Sequence, residues 1–288
     1  MRGCGGSGTL RRRRAGRGNP GGAGWERGAA AVAFRPAPSR PRARPALTYL
    51  EFHLAFTVPP LVVLALLQGR TRAPWWPLLL LVGIAFAYTT PWDNYLVARE
   101  VWTYPPGRVL ATVGWVPVEE YAFFVIQTVL AGLWLRLFQA RWDRVPPPAP
   151  RSVRWPGVAL FAALTAVGVA CVVAAGHWLY LGLILAWACP ILVLMWAVGG
   201  ELIWARRRLV VVTVVPVTLY LWAADWFAIT QAGIWTITDA TRTGWELAGL
   251  PVEEALFFLV TSLLVAQGLV MLEKPEVMRP AGRRRAVA

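Results

Sequence analysis

Pro117-Val118-Glu119-Glu120 and Pro251-Val252-Glu253-Glu254 are one tetrapeptide written twice, and each copy opens a long apolar run. Two residues further on, each copy carries a phenylalanine pair, Phe123-Phe124 and Phe257-Phe258. Ionisable groups beside lipid are costly, so four carboxylates at the mouths of two hydrophobic segments read as a functional site. The surrounding sequence repeats with them. Tyr49-Leu50 matches Tyr180-Leu181, Leu54-Ala55 matches Leu185-Ala186, and Pro59 matches Pro190. Tyr88 and Asp93 match Tyr220 and Asp225, Trp102-Thr103 matches Trp235-Thr236, and Arg108 matches Arg242. The offset drifts only from 131 to 134, so the chain holds two copies of one unit with small insertions.

Apolar residues make up 57% of the chain and gather into runs of about 20, the length that crosses a bilayer as a helix. Seven such runs lie at about 47–67, 75–92, 117–138, 154–175, 178–199, 208–229 and 251–272, bounded by Arg, Pro or Gly. Backbone satisfaction in lipid favours helices over open strands, and many of the 17 tryptophans fall near run ends, where an interfacial belt lies. The expected fold is an all-α polytopic membrane protein of seven transmembrane helices. Residues 47–145 form a first three-helix repeat, 146–177 a linker and helix four, and 178–274 a second repeat of helices five to seven. Equivalent helices are then four crossings apart and run the same way, so the repeats are parallel and both acid motifs reach one membrane face. Arg70, Arg72, Arg141, Arg144, Arg151, Arg154, Arg206–Arg208 and Arg283–Arg285 fall on the other face by parity. The positive-inside rule makes that face cytoplasmic, whereas the basic segment 1–46, if translated, argues the reverse orientation.

Much of the net charge of +14 belongs to a terminal segment. Residues 1–46 carry eleven arginines and one acid, Glu26, leaving 18 basic against 14 acidic residues in the rest. This Gly-, Pro-, Ala- and Arg-rich stretch has no apolar period and no signal-peptide core, so it is expected to be disordered. Initiation nearer Leu47 from a non-standard start codon would leave it untranslated, which the mass of the natural protein tests. Residues 275–288 form a second basic tail. Nucleic-acid binding by Arg11–Arg14 is not expected. Cys4, Cys171 and Cys189 show no metal or redox spacing, and His53 and His177 are too few for a metal cluster. No Gly-x-Gly-x-x-Gly fingerprint or phosphate loop appears, so no metal or nucleotide cofactor is expected. The sole lysine, Lys274, lies beyond the last run, which excludes a retinal Schiff base on a helix.

Helix initiation alone accounts for part of the acid motif. Carboxylates in a first turn complement the free N–H groups and the helix dipole by about 0.3–1 kcal/mol. One glutamate per helix would satisfy that role, and adjacent glutamates point about 100° apart. Repetition of both favours function. Phe123 and Phe257 share a helix face with Glu119 and Glu253, and Phe124 and Phe258 share one with Glu120 and Glu254. Asp93 and Asp225, expected at the ends of the preceding helices, join the four glutamates as candidate catalytic groups. Arg108 and Arg242 precede the motifs as candidate charge partners or solvated residues. Glu51 and His53 are further candidates, but their counterparts are Gly182 and Ile184, so any role breaks the pseudo-symmetry.

A carboxylic acid in an apolar pocket resists ionisation, and a second one nearby leaves one protonated donor beside one ionised acceptor. Aromatic faces stabilise positive charge. Phe123, Phe124, Phe257, Phe258, Trp92, Trp226, Trp102 and Trp235 are the candidate walls of such a pocket. These parts suit acid-initiated carbocation chemistry on an alkene, and equally a proton-coupled transporter.

The doubled Pro-Val-Glu-Glu motif, Thr48-Tyr49-Leu50-Glu51-Phe52-His53 and Pro91-Trp92-Asp93-Asn94-Tyr95 resemble the membrane-embedded lycopene cyclases over about residues 47–272. These occur as two-subunit pairs or as fused chains, and this chain is similar to the fused form. The resemblance implies a prokaryotic multi-pass membrane enzyme of carotenoid biosynthesis. It would cyclise the acyclic ends of lycopene to β-ionone rings, giving β-carotene by way of γ-carotene. It places the acid machinery on Glu119-Glu120 and Glu253-Glu254. Substrate and product are isomers, so no cofactor is expected, with assistance by a reduced flavin left open. Lycopene and other carotenoids, membrane lipid and other carotenoid-pathway enzymes are the implied partners. An ε- or γ-ring cyclase, or one acting on C50 carotenoids, is the alternative within the family.

Overall fold

The computed structural model describes residues 47–68, 74–141, 147 and 149–273. Both basic tails lie outside the described residues, as do Arg70, Arg72, Arg144 and Lys274. Seven long helical segments make up most of the described chain. They are α1 (Tyr49–Leu67), α2 (Trp76–Ala98), α3 (Val118–Arg141), α4 (Arg154–Ala174), α5 (Leu179–Ala205), α6 (Arg207–Trp226) and α7 (Val252–Leu272). Six of them are long and apolar enough to cross a membrane. The exception is α2, whose second half, Thr89-Thr90-Pro91-Trp92-Asp93-Asn94, dilutes its hydropathy.

Local chemistry sets where these helices begin and bend. Thr48 and Glu51 form a reciprocal capping box at the start of α1. Within α1 a π-helical turn spans His53–Thr57, just ahead of Pro59-Pro60. Each proline lacks an N–H, and its ring presses on the carbonyl four residues back, which the wider turn relieves. The counterpart of Pro60 is Ile191, and α5 has no π turn there. A second π turn, Phe227–Ala232, extends α6 and closes on Gly233 in the left-handed region at φ 56°.

Two expected boundaries move. Helix α2 runs through Pro91 to Ala98, and α6 continues through its π turn, so Asp93 and Asp225 lie inside helical segments rather than at their ends. Both are buried. Pro117 and Pro251 close short strands just before α3 and α7 rather than opening the helices.

Helices α3 and α7 form the centre; 67% of the α7 span is buried, against 17% for α4. Helix α4 packs chiefly on α5, where facing glycines let the backbones meet. A Cβ on Gly168 would lie 2.6 Å from the Ala186 amide nitrogen, and one on Gly182 would lie 2.7 Å from that of Val172. Gly168→Leu is therefore expected to destabilise the protein by about 1–3 kcal/mol, read as thermal unfolding in detergent.

Three two-residue ribbons cap the end where the acids lie. β1 (Trp102–Thr103) pairs antiparallel with β4 (Thr236–Ile237) and ties one repeat to the other. The Thr103 and Thr236 hydroxyls meet at 2.9 Å. β2 (Thr112–Val113) pairs with β3 (Val116–Pro117), and β5 (Glu246–Leu247) with β6 (Leu250–Pro251). Each of these hairpins leads straight into an acid motif.

Candidate active site

Each hairpin delivers its two glutamates to the first turn of a helix, and the rotation of about 100° per residue separates their tasks. The first of each pair turns back to its own loop. Glu119 Oε1 accepts the Leu110 amide at 2.8 Å. Glu253 Oε1 accepts the Thr243 amide at 2.6 Å and its hydroxyl at 2.7 Å. Leu110 and Thr243 are counterparts in the repeat, so the same tie is made twice.

The second glutamate of each pair faces inward. Glu120 Oε2 accepts phenol hydroxyls from Tyr49 at 2.6 Å and Tyr104 at 3.1 Å. Glu254 Oε1 accepts the Tyr180 hydroxyl at 2.5 Å. Glu120 and Glu254 line a single cavity of about 40 Å³, together with the three tyrosines and Asp225. Burial, reinforced by the Glu120 carboxylate, holds the Tyr104 phenol well above its ordinary pKa. It therefore stays a hydrogen-bond donor to Glu120 at neutral pH.

The cavity walls are aromatic. Phe123, Phe257, Phe258, Trp102 and Trp235 line it. Trp235 lies 4.9 Å from the Tyr49 ring and Trp102 lies 5.4 Å from the Tyr180 ring, one contact made twice between the repeats. Asp93 and Asp225 are both buried; the oxygens of Asp93 have no hydrogen-bond partner, whereas Asp225 lies within side-chain hydrogen-bonding reach of Glu254 and Trp235. Asp225 lines the cavity, whereas Asp93 does not.

Several sequence expectations need correction. Arg108 donates to the Leu47 carbonyl at 2.8 Å, and Arg242 pairs with Asp239 at 2.7 Å and Glu246 at 3.1 Å. Neither is paired with an acid motif. Their match in the repeat also shifts by one. Tyr49 N donates to the Arg108 carbonyl as Tyr180 N donates to that of Thr241, so Thr241 is the spatial counterpart of Arg108. Glu51 is exposed and engaged in capping Thr48. Trp226 is 39% exposed and Phe124 packs against Phe86 and Tyr121, so neither lines the cavity. Trp92 is also absent from the walls, being stacked on Trp187 at 4.6 Å.

His53 is buried and positions the site. Its Nε2 meets the Glu119 backbone carbonyl at 3.0 Å and its Nδ1 meets Thr57 Oγ1 at 3.1 Å. Its ring also stacks on Tyr49 at 4.6 Å. The tyrosine donors were not among the expected site residues. Tyr49 and Tyr180 head the repeat match, so their signal was present as a repeated hydroxyl. Tyr104 is aligned with Ile237 and carries no such signal.

The arrangement offers carboxyl groups at two points of one apolar, aromatic chamber, with phenols fixing their orientation. It can give a proton to a bound alkene, stabilise positive charge and take a proton back. Among the described residues, no group of His, Cys, Asp and Glu could hold a metal ion.

No family model and no solved structure matches the chain. Curated relatives do. The chain is 40% identical over 234 residues to the lycopene beta-cyclase of Halobacterium salinarum, covering 78% of this chain and 95% of that protein. It is 38% identical over 235 residues to a bifunctional lycopene cyclase/phytoene synthase of Gibberella fujikuroi, covering 77% of this chain and 39% of the fungal protein. A similar protein of Phycomyces blakesleeanus, carrying the same description, is 37% identical over 225 residues, 74% of this chain and 37% of the relative. A cyclase matched at that identity over nearly its whole length decides the ancestry, and the chain belongs to the lycopene cyclase family.

Proposed function

We propose that this protein is a lycopene β-cyclase, closing the acyclic ends of lycopene to β-ionone rings by acid-initiated cyclisation within a membrane. The observation that carries this reading is the meeting of Glu120 and Glu254, one from each repeat, in one aromatic-walled cavity. Both acids then serve the same substrate end. Glu254, beside Asp225 and with a single phenol donor, is the proton donor. Glu120, which receives two phenol hydroxyls, is the proton acceptor.

In this scheme the acid proton adds to the terminal double bond and leaves a tertiary cation. The neighbouring double bond supplies an electron pair, the ring bond forms, and the positive charge moves into the ring. Removal of a ring proton by Glu120 sets the β double bond. One proton enters and one leaves, so the step is redox-neutral and consumes no cofactor. Phe123, Phe257, Phe258, Trp102 and Trp235 face the cation with their π systems. Glu119 and Glu253 hold the loops that roof the chamber.

The same reading gives the chain seven crossings, with two parallel three-helix repeats joined by α4. The acid motifs lie at the face away from the cytoplasm. Arg136, Arg154 and Arg206–Arg208 sit at the opposite end, as the positive-inside rule requires.

Expression in cells that accumulate lycopene tests the assignment, with the pigment identified chromatographically. β-Carotene is the expected product. Unchanged lycopene alongside well-inserted protein overturns the reading, and an ε- or γ-ring product or selective conversion of C50 carotenoids redirects it within the family.

A further inference from the structure

The two halves are not equal around the chamber. On one side the cavity extends onto α1 and α6, where Phe52, Thr57, Leu221, Ala224 and Asp225 line it. By the repeat register their counterparts are Leu183, Ala188, Thr89, Trp92 and Asp93 on α5 and α2, and none of those lines it. The difference centres on Ala224 and its counterpart Trp92.

Trp92 bolts the α2–α5 seam. Its indole stacks on Trp187 at 4.6 Å and on Phe257 at 5.8 Å, meets Trp102 edge-on at 6.1 Å, and donates to the Leu183 carbonyl at 3.1 Å. Tyr88 adds a hydrogen bond to the Trp187 carbonyl. The α1–α6 seam keeps the equivalent tyrosine bond, Tyr220 to the Phe56 carbonyl, but has a methyl group where the indole would be. Besides that bond, the Phe56 ring, stacked within α1 on Phe52 at 5.3 Å, crosses the seam to Phe227 at 4.8 Å. Both π turns lie here, at His53–Thr57 and Phe227–Ala232; the counterpart of the first is regular α-helix in α5, and that of the second is the plain α-helical end of α2, which stops at Ala98. Such turns occur mostly as local bulges in helices and are frequent at functional sites.

Size makes an opening necessary. A cavity of about 150 Å³ binds benzene, and the chamber holds about 40 Å³. A six-membered ring cannot form in it until a wall moves.

We infer that a carotenoid end reaches the acids from the lipid through the α1–α6 seam, between Phe56 and Phe227, and that Trp92 shuts the equivalent α2–α5 seam. The inference rests on the cyclase reading and deepens it. With one chamber and one portal, the polyene trails out through the seam while its end reacts. The second end is reached only after the half-cyclised molecule leaves, turns and returns.

Membranes holding the full chain test this in two arms. In the first, the unmodified enzyme receives deuterated lycopene together with unlabelled γ-carotene. Labelled γ-carotene is expected to appear in the free pool ahead of labelled β-carotene; label passing to β-carotene with none entering the γ-carotene pool overturns the inference. No β-carotene at all defeats the cyclase reading instead, so the two failures differ. In the second, Phe56→Cys with Phe227→Cys is joined by a reducible bis-thiosulfonate linker, beside Tyr88→Cys with Trp187→Cys for the other seam. Linking α1 to α6 is expected to cut conversion by roughly tenfold or more, with recovery on reduction, as for a blocked gate. Linking α2 to α5 is expected to leave it unchanged. Equal conversion with α1–α6 linked, or equal loss at either seam, overturns the proposal.

Discussion

Glu254→Gln and Glu120→Gln are each expected to lower β-carotene formation by about 10²–10⁴-fold, the usual contribution of a positioned acid or base. Glutamine keeps the shape and can still accept from Tyr180, or from Tyr49 and Tyr104, so the chamber survives while the transferable proton or its acceptor is lost. The neighbouring residues provide the contrast. Glu119→Gln and Glu253→Gln retain a carbonyl for the Leu110 or Thr243 amide and exchange a charged hydrogen bond for a neutral one. That exchange costs on the order of 1 kcal/mol of loop stability. Activity should therefore fall far less in these variants. Pigment analysis of four equally expressed single variants checks the ranking. Activity retained by Glu120→Gln or Glu254→Gln, with loss confined to Glu119→Gln and Glu253→Gln, would reverse the assignment.

Arg136→Ala should destabilise the fold by about 3–5 kcal/mol, because it strands a buried carboxylate. Arg136 and Glu273 lie at the end of the helices away from the acid motifs, 2.7 Å apart, with side chains only 2% and 1% exposed. Arg136 also donates to the Pro74 carbonyl at 2.7 Å, and its guanidinium lies 5.1 Å from the Trp75 ring centroid. Arg206 reaches the Glu273 backbone carbonyl at 3.2 Å. Burial raises the pKa of Glu273 above its ordinary value, against the pull of Arg136. Removing the arginine leaves burial less opposed. Thermal unfolding in detergent measures the loss, and Arg136→Met combined with Glu273→Leu should recover most of it by replacing the pair with apolar contacts. A single Arg136→Ala variant as stable as the parent would show that the pair contributes nothing.

The two expectations draw on different depths of the sequence. The glutamates stood out because they repeat with their surroundings, and a repeat of that length is visible without coordinates. Tyr49 and Tyr180 repeat just as faithfully, and their hydroxyls are the partners of Glu120 and Glu254. Read as acid ligands, they would have been found from the register alone. Tyr104, Arg136 and Glu273 have no such signal. Tyr104 is aligned with an isoleucine, and the Arg136–Glu273 pair joins helix ends 137 residues apart. Arg108 and Arg242 misled because proximity in sequence to the motifs suggested pairing, while nearer loop groups claimed both guanidinium groups.

Sequence alone determined the helical segments, the duplication and the pair of acid motifs, because apolar run length and internal register are properties of neighbours along the chain. It also required the two glutamates of each motif to face different directions, since helical rotation fixes the angle between adjacent side chains. Tertiary structure decided which of them looks into the chamber, because that depends on phenols 71 and 74 residues away. It likewise decided that two related halves build one lopsided cavity. A single alanine opposite a tryptophan leaves one seam open to rearrangement, and only the packing of four helices converts that difference in side-chain volume into a direction of approach.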